Sequence, residues 1–390
     1  MRVGSVAVLW VSVWVSVLGA CAAAPGSESG LFDWQLPVGF EPPAAVSDNP
    51  MNAAKVELGR HLFYDPRLSR TGEQSCGSCH RQELAFSDGR ERALGSTGQE
   101  HPRNTPTLAN VAYMQTLTWA NPVLRDLETQ ALVPLFGERP VELGIAGVVD
   151  EVLARLANDP MYPSLFAEAF VELEAPSEAL SMRGVTHALS AFQRTLISGR
   201  SAYDRHLAGE AEALSPRAQR GLMLFESERL GCSGCHSGQN LSDATVGQAA
   251  RAENTFHNTG LYDIDGEGSY PEASPGLVAF TDRDTDRGRF RTPTLRNIAL
   301  TAPYMHDGSI ATLDAVLDHY AAGGRSDNAF KSERLRGFEL SAEERAEVLA
   351  FLGALSDEAF VCDAALSDPW RPRDGACQED VTLSRPQALP

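Results

Sequence analysis

The pentapeptide CGSCH, Cys76 to His80, constrains the fold more than any other feature, because the chain must enclose whatever these side chains bind. Two thiols three residues apart occur in structural zinc sites, in thioredoxin-like redox centres and at sites of covalent haem attachment. A zinc site needs further soft ligands close by, and a redox centre needs a βαβ context. The adjacent imidazole favours haem, with His80 supplying the proximal nitrogen and Cys76 and Cys79 binding the porphyrin.

The motif recurs as CSGCH, which predicts a second haem on Cys232, Cys235 and His236. The flanking residues recur as well: they are Gly59, Leu62, Phe63, Ser87 and Asp88 around the first motif, and Gly221, Leu224, Phe225, Ser242 and Asp243 around the second. Two such triples without a fourth soft ligand in sequence reach argue against zinc. Self-similarity of this kind predicts two haem domains related by duplication.

The N-terminus has the features of a secretion signal. Arg2 precedes an apolar run from Val6 to Leu18 that is short for a membrane span, and small residues follow. The segment LGAC, Leu18 to Cys21, is similar to a bacterial lipobox, so we predict a lipoprotein-type signal peptide over residues 1–20 and a lipid anchor on Cys21. Plain cleavage near the same place is the alternative.

The use of the seven cysteines supports an extracytoplasmic location. Four are assigned to haem, and we predict a disulfide between Cys362 and Cys377, which leaves Cys21 for the lipid. Disulfides and covalent haem persist in oxidising compartments, so we expect a periplasmic or cell-envelope protein. The net charge of −19 argues against a nucleic-acid partner, which would call for basic patches.

Helical patterns dominate the chain, and strand-like alternation is scarce. Ser215 and Pro216 are typical of a helix start, Ser341 and Glu344 form a capping box, and apolar residues over 177–197 have near-helical spacing. We therefore predict a mainly α fold of two cytochrome c-like domains with long loops. The expected boundaries are residues 21–45 for a tether and extended lead-in, 46–205 and 206–358 for the domains, and 359–390 for a disulfide-stapled tail.

Further segments carry a resemblance to a known family. They are GRHLFYDPRLS, RNTPTLANVAY, FHNTGL, RTPTLRNIALTAPYMHDG and ATLDAVLDHYAAGG. Together with the haem motifs, and in the same order, they resemble the bacterial dihaem cytochrome c peroxidase and MauG superfamily over about residues 48 to 356. The segment LTWANPVLRDLETQALVPLFGERPVELG is similar to the MbnH-like branch, whose members act on a partner protein.

Tyr320 separates the activities within this superfamily. By sequence it is the last apolar position of a helix that begins after Thr312 and ends before Gly323, so a core tyrosine is the alternative interpretation. The resemblance implies that this helix supplies the distal ligand of the second haem. Peroxide reducers of the family carry Met there, whereas MauG resembles this chain in carrying Tyr. A phenolate is a hard anion that stabilises oxidised iron, while a thioether favours ferrous iron.

The resemblance also assigns the first haem, ligated by His80, to the reaction with peroxide. It implies that Glu142 moves the proton needed for O–O cleavage and that Gln130 lies beside it. Sequence alone would place both residues on the surface. His101 lies in the loop where classical peroxidases carry a distal histidine, but only three residues before Asn104. We expect it not to bind iron.

Two further features follow from the resemblance. Trp119 is similar to the tryptophan between the haems, where an easily ionised indole can relay an electron vacancy; a core aromatic is the alternative. Asn104, with the backbone carbonyls of Thr301 and Pro303, resembles a calcium site between the domains, because hard oxygen ligands suit Ca²⁺. Without the resemblance these segments would simply be turns.

Three functions remain open at this stage. The favoured one is a MauG/MbnH-like oxidase, in which hydrogen peroxide forms a two-haem high-valent state that oxidises a residue of a secreted, MbnP-like partner by long-range electron transfer; we expect that residue to be a tryptophan. The second is a cytochrome c peroxidase that reduces hydrogen peroxide with electrons from a small cytochrome. The third is a dihaem electron carrier, which the positions of Glu142 and Gln130 disfavour.

Overall fold

The fold is built mainly from helices joined by long irregular segments. The computed structural model describes Met1 and residues 32–173, 176–246 and 255–371. In the first half of the chain the α-helices are α1 (Ala53–Tyr64), α2 (Cys76–Cys79), α3 (Leu127–Phe136), α4 (Val149–Ala157), α5 (Met161–Ala169), α6 (Pro176–Ala179) and α7 (Met182–Arg194). In the second half they are α8 (Ala202–Leu207), α9 (Pro216–Glu226), α10 (Val278–Thr281), α11 (Leu313–Ala321), α12 (Ala342–Gly353) and α13 (Glu358–Val361).

The described strands are short. β1 (Phe256–Asn258) pairs antiparallel with β2 (Arg289–Arg291), with Phe256 opposite Arg291. The prediction of a mainly α fold is therefore confirmed. The boundary predicted near residue 205 and the common ancestry of the two halves stay predictions.

The helix starts expected from the sequence are present. Ser215 accepts a hydrogen bond from the Ala218 amide at the start of α9, and Ser341 and Glu344 form the reciprocal capping box of α12. The helix predicted over 177–197 is interrupted instead. Ser181 is extended and caps the amide of Gly184, so α7 begins only at Met182. A side-chain cap competes with helix continuation at such a serine.

Two close helix pairs form the cores around the haem motifs. α1 packs on α7, and Gly59 faces the backbone of Ala188 so closely that an added Cβ would lie 1.9 Å from its carbonyl oxygen. α9 packs on α12 in the same way, and a Cβ on Gly221 would lie 1.9 Å from the carbonyl oxygen of Glu347. These glycines are needed because the helix backbones approach within the space that a side chain would fill.

The segment between α7 and α8 joins the two halves through buried polar groups. Ser198 donates its amide to Asn110 Oδ1 at 2.7 Å and accepts a bond from Asn297 Nδ2 at 2.9 Å. Its hydroxyl donates to the carboxylate of Asp357, which is only 1% exposed and also accepts the amides of Gly199 and Arg200. Such a network is stable because its donors and acceptors find partners.

The predicted signal peptide and the lipid-bearing Cys21 lie outside the described residues, as does Cys377. Cys362 is disulfide-bonded. Its pairing with Cys377 stays a prediction. The segment before Trp370 packs on the core formed by α1 and α7 through Phe360, Val361 and Leu366. No helix of the described part of the chain is long and apolar enough to cross a membrane.

Candidate dihaem site

Both attachment motifs hold their histidine in the same way. His80 follows the short helix α2, and its Nδ1 bonds to the carbonyl oxygen of Phe86 at 2.8 Å. His236 follows a 3-10 turn, and its Nδ1 bonds to the carbonyl oxygen of Leu241 at 2.9 Å. Since a carbonyl only accepts, each ring carries its proton on Nδ1 and leaves the Nε2 lone pair for a metal. Burial lowers the pKa of both imidazoles, which keeps them in the neutral form that binds metals.

The acceptor carbonyls belong to residues with unusual backbone geometry. Phe86 has φ 63° and Leu241 has φ 49°, in the left-handed region that non-glycine residues seldom adopt. The serine after each of them anchors the turn: Ser87 donates to the carbonyl of Thr105, and Ser242 donates to the carbonyl of Thr292. The serine of each repeated Ser-Asp pair therefore helps to fix the turn that holds His80 or His236.

The first motif opens onto a cavity of about 430 Å³. His101 and Trp119 lie in its wall, as do the residues predicted for the peroxide site: Cys76, Cys79, His80, Gln130 and Glu142. Gln130 is presented by α3, which is fixed to α7 by a two-fold hydrogen-bonded ion pair between Glu128 and Arg194, at 2.7 and 2.8 Å. The cavity therefore combines a covalent attachment site with a carboxyl group and an amide.

Glu142 is held by backbone bonds on both sides. Its carbonyl accepts the Ser96 amide at 2.7 Å, and the next residue, Leu143, donates to the carbonyl of Pro134 at the end of α3. Burial raises the pKa of Glu142 to about 7. A carboxyl group with a pKa near neutrality can both accept and return a proton, as a general acid–base catalyst must.

His101 faces Glu142 rather than standing free. Its Nδ1 accepts the backbone amide of Arg103 at 3.1 Å, and its Nε2 lies 3.8 Å from Glu142 Oε1. Burial lowers the pKa of His101 to about 4, so the neutral ring carries its proton on Nε2. That arrangement agrees with the expectation that His101 is not an iron ligand, which stays a prediction.

The second motif opens onto a cavity of about 280 Å³. Tyr320, on α11, lies in the same wall as Cys232, Cys235 and His236, and burial raises the pKa of its phenol. The side chain therefore faces the cavity, whereas the alternative interpretation treated it as a core tyrosine. Asn104, Thr301 and Pro303, the predicted calcium ligands, line this cavity as well.

Trp119 lies in the walls of both cavities. Its indole is 8% exposed and donates to the carbonyl oxygen of Asn104 at 2.8 Å. Its own carbonyl accepts the Arg291 amide at 2.7 Å. The ring is thus fixed between the two sites by residues of both halves.

Two arginines, Arg103 partly buried and Arg291 buried, were missed by the sequence reasoning and provide a test of whether the cavities suit haem. Arg103 lines the first cavity and Arg291, 6% exposed, lines the second. Neither forms an ion pair within the described ranges, and burial lowers the pKa of Arg291 to about 10. An uncompensated buried guanidinium needs an anion. The propionate carboxylates of haem provide one, so the residues present fit a haem in each cavity.

Zinc is a poorer fit at the second motif. Cys235, Asp243 and His257 bring one potential ligand atom each within 4.8 Å of one another, which gives three ligands where a structural site needs four. His257 Nε2 is instead bonded to Asp243 at 2.8 Å.

Known proteins resemble this chain over most of its length. The family model for di-haem cytochrome c peroxidases matches residues 53–212. The chain is 37% identical over 342 residues to the methylamine utilization protein MauG of Methylorubrum extorquens, covering 87% of this chain and 89% of that protein. The chain belongs to the di-haem cytochrome c peroxidase and MauG family.

Some further relatives are named as cytochrome c peroxidases and others as MauG-like proteins. The cytochrome-c peroxidase IdrP1 of Denitromonas iodatirespirans is 36% identical over 380 residues, covering 92% of this chain and 96% of that protein. The crystal structure of a MauG-like protein associated with microbial copper homeostasis is 47% identical, with a TM-score of 0.83 over 87% of this chain and all of that chain. The chain is therefore an oxidoreductase of a family that carries two c-type haems, uses hydrogen peroxide and works with a partner protein or cytochrome.

Proposed function

We propose that this protein is a MauG-like oxidase that uses hydrogen peroxide to oxidise a residue of a partner protein. The position of Tyr320 in the wall of the second cavity, with His236 and both attachment cysteines, carries the proposal. Methionine, the ligand of the peroxide reducers, would favour reduced iron, whereas an anionic oxygen ligand favours retention of an oxidising equivalent.

The first cavity is proposed to be the site of peroxide reduction. Bound haem supplies the iron that takes up the oxidant. Glu142 accepts a proton from the nearer peroxide oxygen and returns it to the departing one, because its pKa of about 7 suits both steps. Gln130 offers an amide to orient the oxidant, and the neutral ring of His101, with Nε2 3.8 Å from Glu142, flanks the carboxyl group.

Trp119 is proposed to relay the oxidising equivalent between the two sites. Support comes from its position in both cavity walls and from its low exposure, which keeps the indole from reacting with solvent. Asn104, Thr301 and Pro303 are proposed to bind Ca²⁺ beside it, since amide and carbonyl oxygens suit a hard cation.

The remaining features are proposed on the same family basis. In each half a glycine lets two helices approach closely, and in each half the histidine of the motif bonds to a backbone carbonyl. These two matches support the duplication of a haem domain. Relatives in the family are periplasmic or secreted enzymes, and attachment through Cys21 is proposed for this chain. The 47% identical protein is associated with copper homeostasis, which supports a copper-associated, MbnP-like partner and a tryptophan as the oxidised residue.

The second candidate function is reduction of hydrogen peroxide with electrons from a small cytochrome. It is favoured by relatives named as cytochrome c peroxidases, such as IdrP1. The two functions differ in what the second site must do: an oxidase retains an oxidising equivalent there, while a peroxidase accepts electrons there.

Replacement of Tyr320 tests the proposal. In the holoprotein, Tyr320→Met is expected to change the optical and electron paramagnetic resonance (EPR) spectra of one haem only, and to raise the reduction potential of that haem. Tyr304→Phe is the matched control, because Tyr304 is a buried tyrosine in the same cavity wall. It should leave both spectra unchanged.

The outcomes separate the functions. Unchanged spectra in Tyr320→Met would remove the basis for an oxidase. Rapid peroxide turnover by the wild type with reduced cytochrome c would favour the peroxidase.

A further inference from the structure

An aromatic chain runs from the second cavity towards the protein surface. Phe290 and His306 line the cavity and stack on each other with ring centroids 3.5 Å apart and an interplanar angle of 11°. The ring centroid of Tyr270 lies 6.0 Å from that of Phe290 and 6.1 Å from that of His306. Tyr262 follows at 5.5 Å from Tyr270. Tyr262 is partly exposed, so this row of aromatic rings joins the cavity to the solvent-facing side of the molecule.

The two tyrosines differ in their proton acceptors. Tyr270, 6% exposed, donates to the amide oxygen of Asn258 at 2.8 Å, and an amide is not a base near neutral pH. Tyr262 donates to the carboxylate of Asp307 at 2.5 Å. Asp307 is 5% exposed and has no ion pair with Lys, Arg or His within the described ranges. Its Oδ1 accepts the backbone amide of Ser309.

This difference matters because a phenol that loses an electron becomes a strong acid. Oxidation is favourable only where a base takes the proton at the same time. Tyr262 has such a base in Asp307, whereas Tyr270 has none, so an oxidising equivalent that enters the chain would come to rest at the outer tyrosine.

We propose that Tyr262 is a redox-active residue that passes electrons from a reductant at the surface to the peroxide-oxidised protein, with Asp307 as its proton acceptor. The inference rests on the proposed function, which supplies the oxidant. In the first step Tyr262 gives one electron, by way of Tyr270 and the Phe290–His306 stack, to the oxidised dihaem unit. Its phenolic proton moves to the Asp307 carboxylate, which leaves a neutral tyrosyl radical and a carboxylic acid.

The second step restores the tyrosine. The radical takes one electron from the reductant, a readily oxidised side chain of a partner protein, and Asp307 returns the proton. Two such cycles deliver the two electrons that, with two protons, reduce one hydrogen peroxide to two waters.

Another tyrosine shows why the route matters as well as the base. Tyr162 also donates to a carboxylate, that of Asp65, at 2.6 Å. Asp65 also forms an ion pair with Arg67, at 2.7 Å. Tyr162 lines neither cavity and is 0% exposed, so it lacks both the connection and the access of Tyr262.

The experiment uses the holoprotein, mixed with hydrogen peroxide and freeze-quenched for EPR. The wild type is expected to give a tyrosyl signal whose hyperfine pattern narrows when the protein contains ring-deuterated tyrosine. Tyr262→Phe should lose this signal and keep the oxidised optical spectrum for longer. Asp307→Asn should slow radical formation roughly 100-fold, the lower end of the contribution of a positioned base.

Tyr113→Phe is the matched control, since Tyr113 is partly buried and donates to a backbone carbonyl, that of Glu41. It should behave as the wild type. A tyrosyl signal that survives Tyr262→Phe, or that disappears in Tyr162→Phe instead, overturns the inference, as does a wild type that is oxidised by peroxide without any tyrosyl signal. Failure of peroxide to oxidise either haem overturns the proposed function itself.

Discussion

Glu142 gives the sharpest test at the scale of a single residue, because its protonation state sets the rate of the first step. Its pKa is raised to about 7, and only the carboxylate can accept a proton from peroxide. The rate of reaction with peroxide should therefore rise with pH through about 7 and level off above it. The groups near Glu142 do not change charge in this window, since the pKa of His101 is lowered to about 4 and Arg103 remains cationic.

Glu142→Gln should remove this pH dependence and slow the reaction roughly 10²- to 10⁴-fold, while both haems remain attached. Stopped-flow measurement of the second-order rate constant between pH 5 and 9 checks it. Glu138→Gln is the control, because Glu138 is exposed in the same loop and lines neither cavity. A Glu142→Gln protein that reacts at the wild-type rate would exclude Glu142 as the base.

Residue identity alone predicted part of this site. Two cysteines three residues apart, with a histidine directly after the second, are typical of haem attachment, so the residues of both motifs could be named from the sequence. The positions of Arg103 and Arg291 in the cavity walls could not be predicted, since a single arginine in a turn segment looks like a surface residue. The carbonyl partners of His80 and His236 depend on left-handed backbone at Phe86 and Leu241, which no side-chain pattern encodes.

At the scale of elements, the two helix crossings make a prediction about stability. Gly59→Ala and Gly221→Ala each place a methyl group 1.9 Å from a backbone oxygen of the facing helix, so the helices must move apart. Overpacking of this kind destabilises by about 1–3 kcal/mol. The higher helix propensity of alanine offsets up to about 1 kcal/mol of this.

Gly353→Ala is the matched control for the crossings. Gly353 is the last residue of α12, and a Cβ added to it would have no neighbouring atom within 4 Å, so alanine should leave the protein as stable as before or slightly more stable. Thermal unfolding of the three holoproteins measures the difference. Equal thermal unfolding temperatures for the three variants would show that the helix crossings at Gly59 and Gly221 tolerate a side chain.

The elements were easier to predict than their contacts. Capping serines identify α9 and α12 because the first-turn amides need acceptors that the sequence displays. The split between α6 and α7 depends on Ser181, whose hydroxyl caps one helix where the apolar spacing suggested continuity. The repeated glycines were visible as a repeat, but the helices they face were not.

At the scale of the whole molecule, the described halves share groups that neither could supply alone. The network of Asn110, Ser198, Asn297 and Asp357 fixes the halves relative to each other with direct hydrogen bonds. Electron transfer falls steeply with distance, so a fixed separation of the two cavities is a functional requirement as well as a structural one.

Trp119 is where this arrangement can be tested, because its ring lies in both cavity walls. Trp119→Phe preserves an aromatic ring of lower volume but replaces the indole by a side chain that is much harder to ionise. We expect peroxide to react with the first site at the wild-type rate, while oxidation of the second site becomes slower. Rapid-mixing optical spectroscopy and EPR measure the two rates. Trp370→Phe, at an exposed tryptophan that lines neither cavity, should leave both phases unchanged. If the second site is oxidised as fast in Trp119→Phe as in the wild type, the indole is a packing residue and the equivalents cross the molecule by another route.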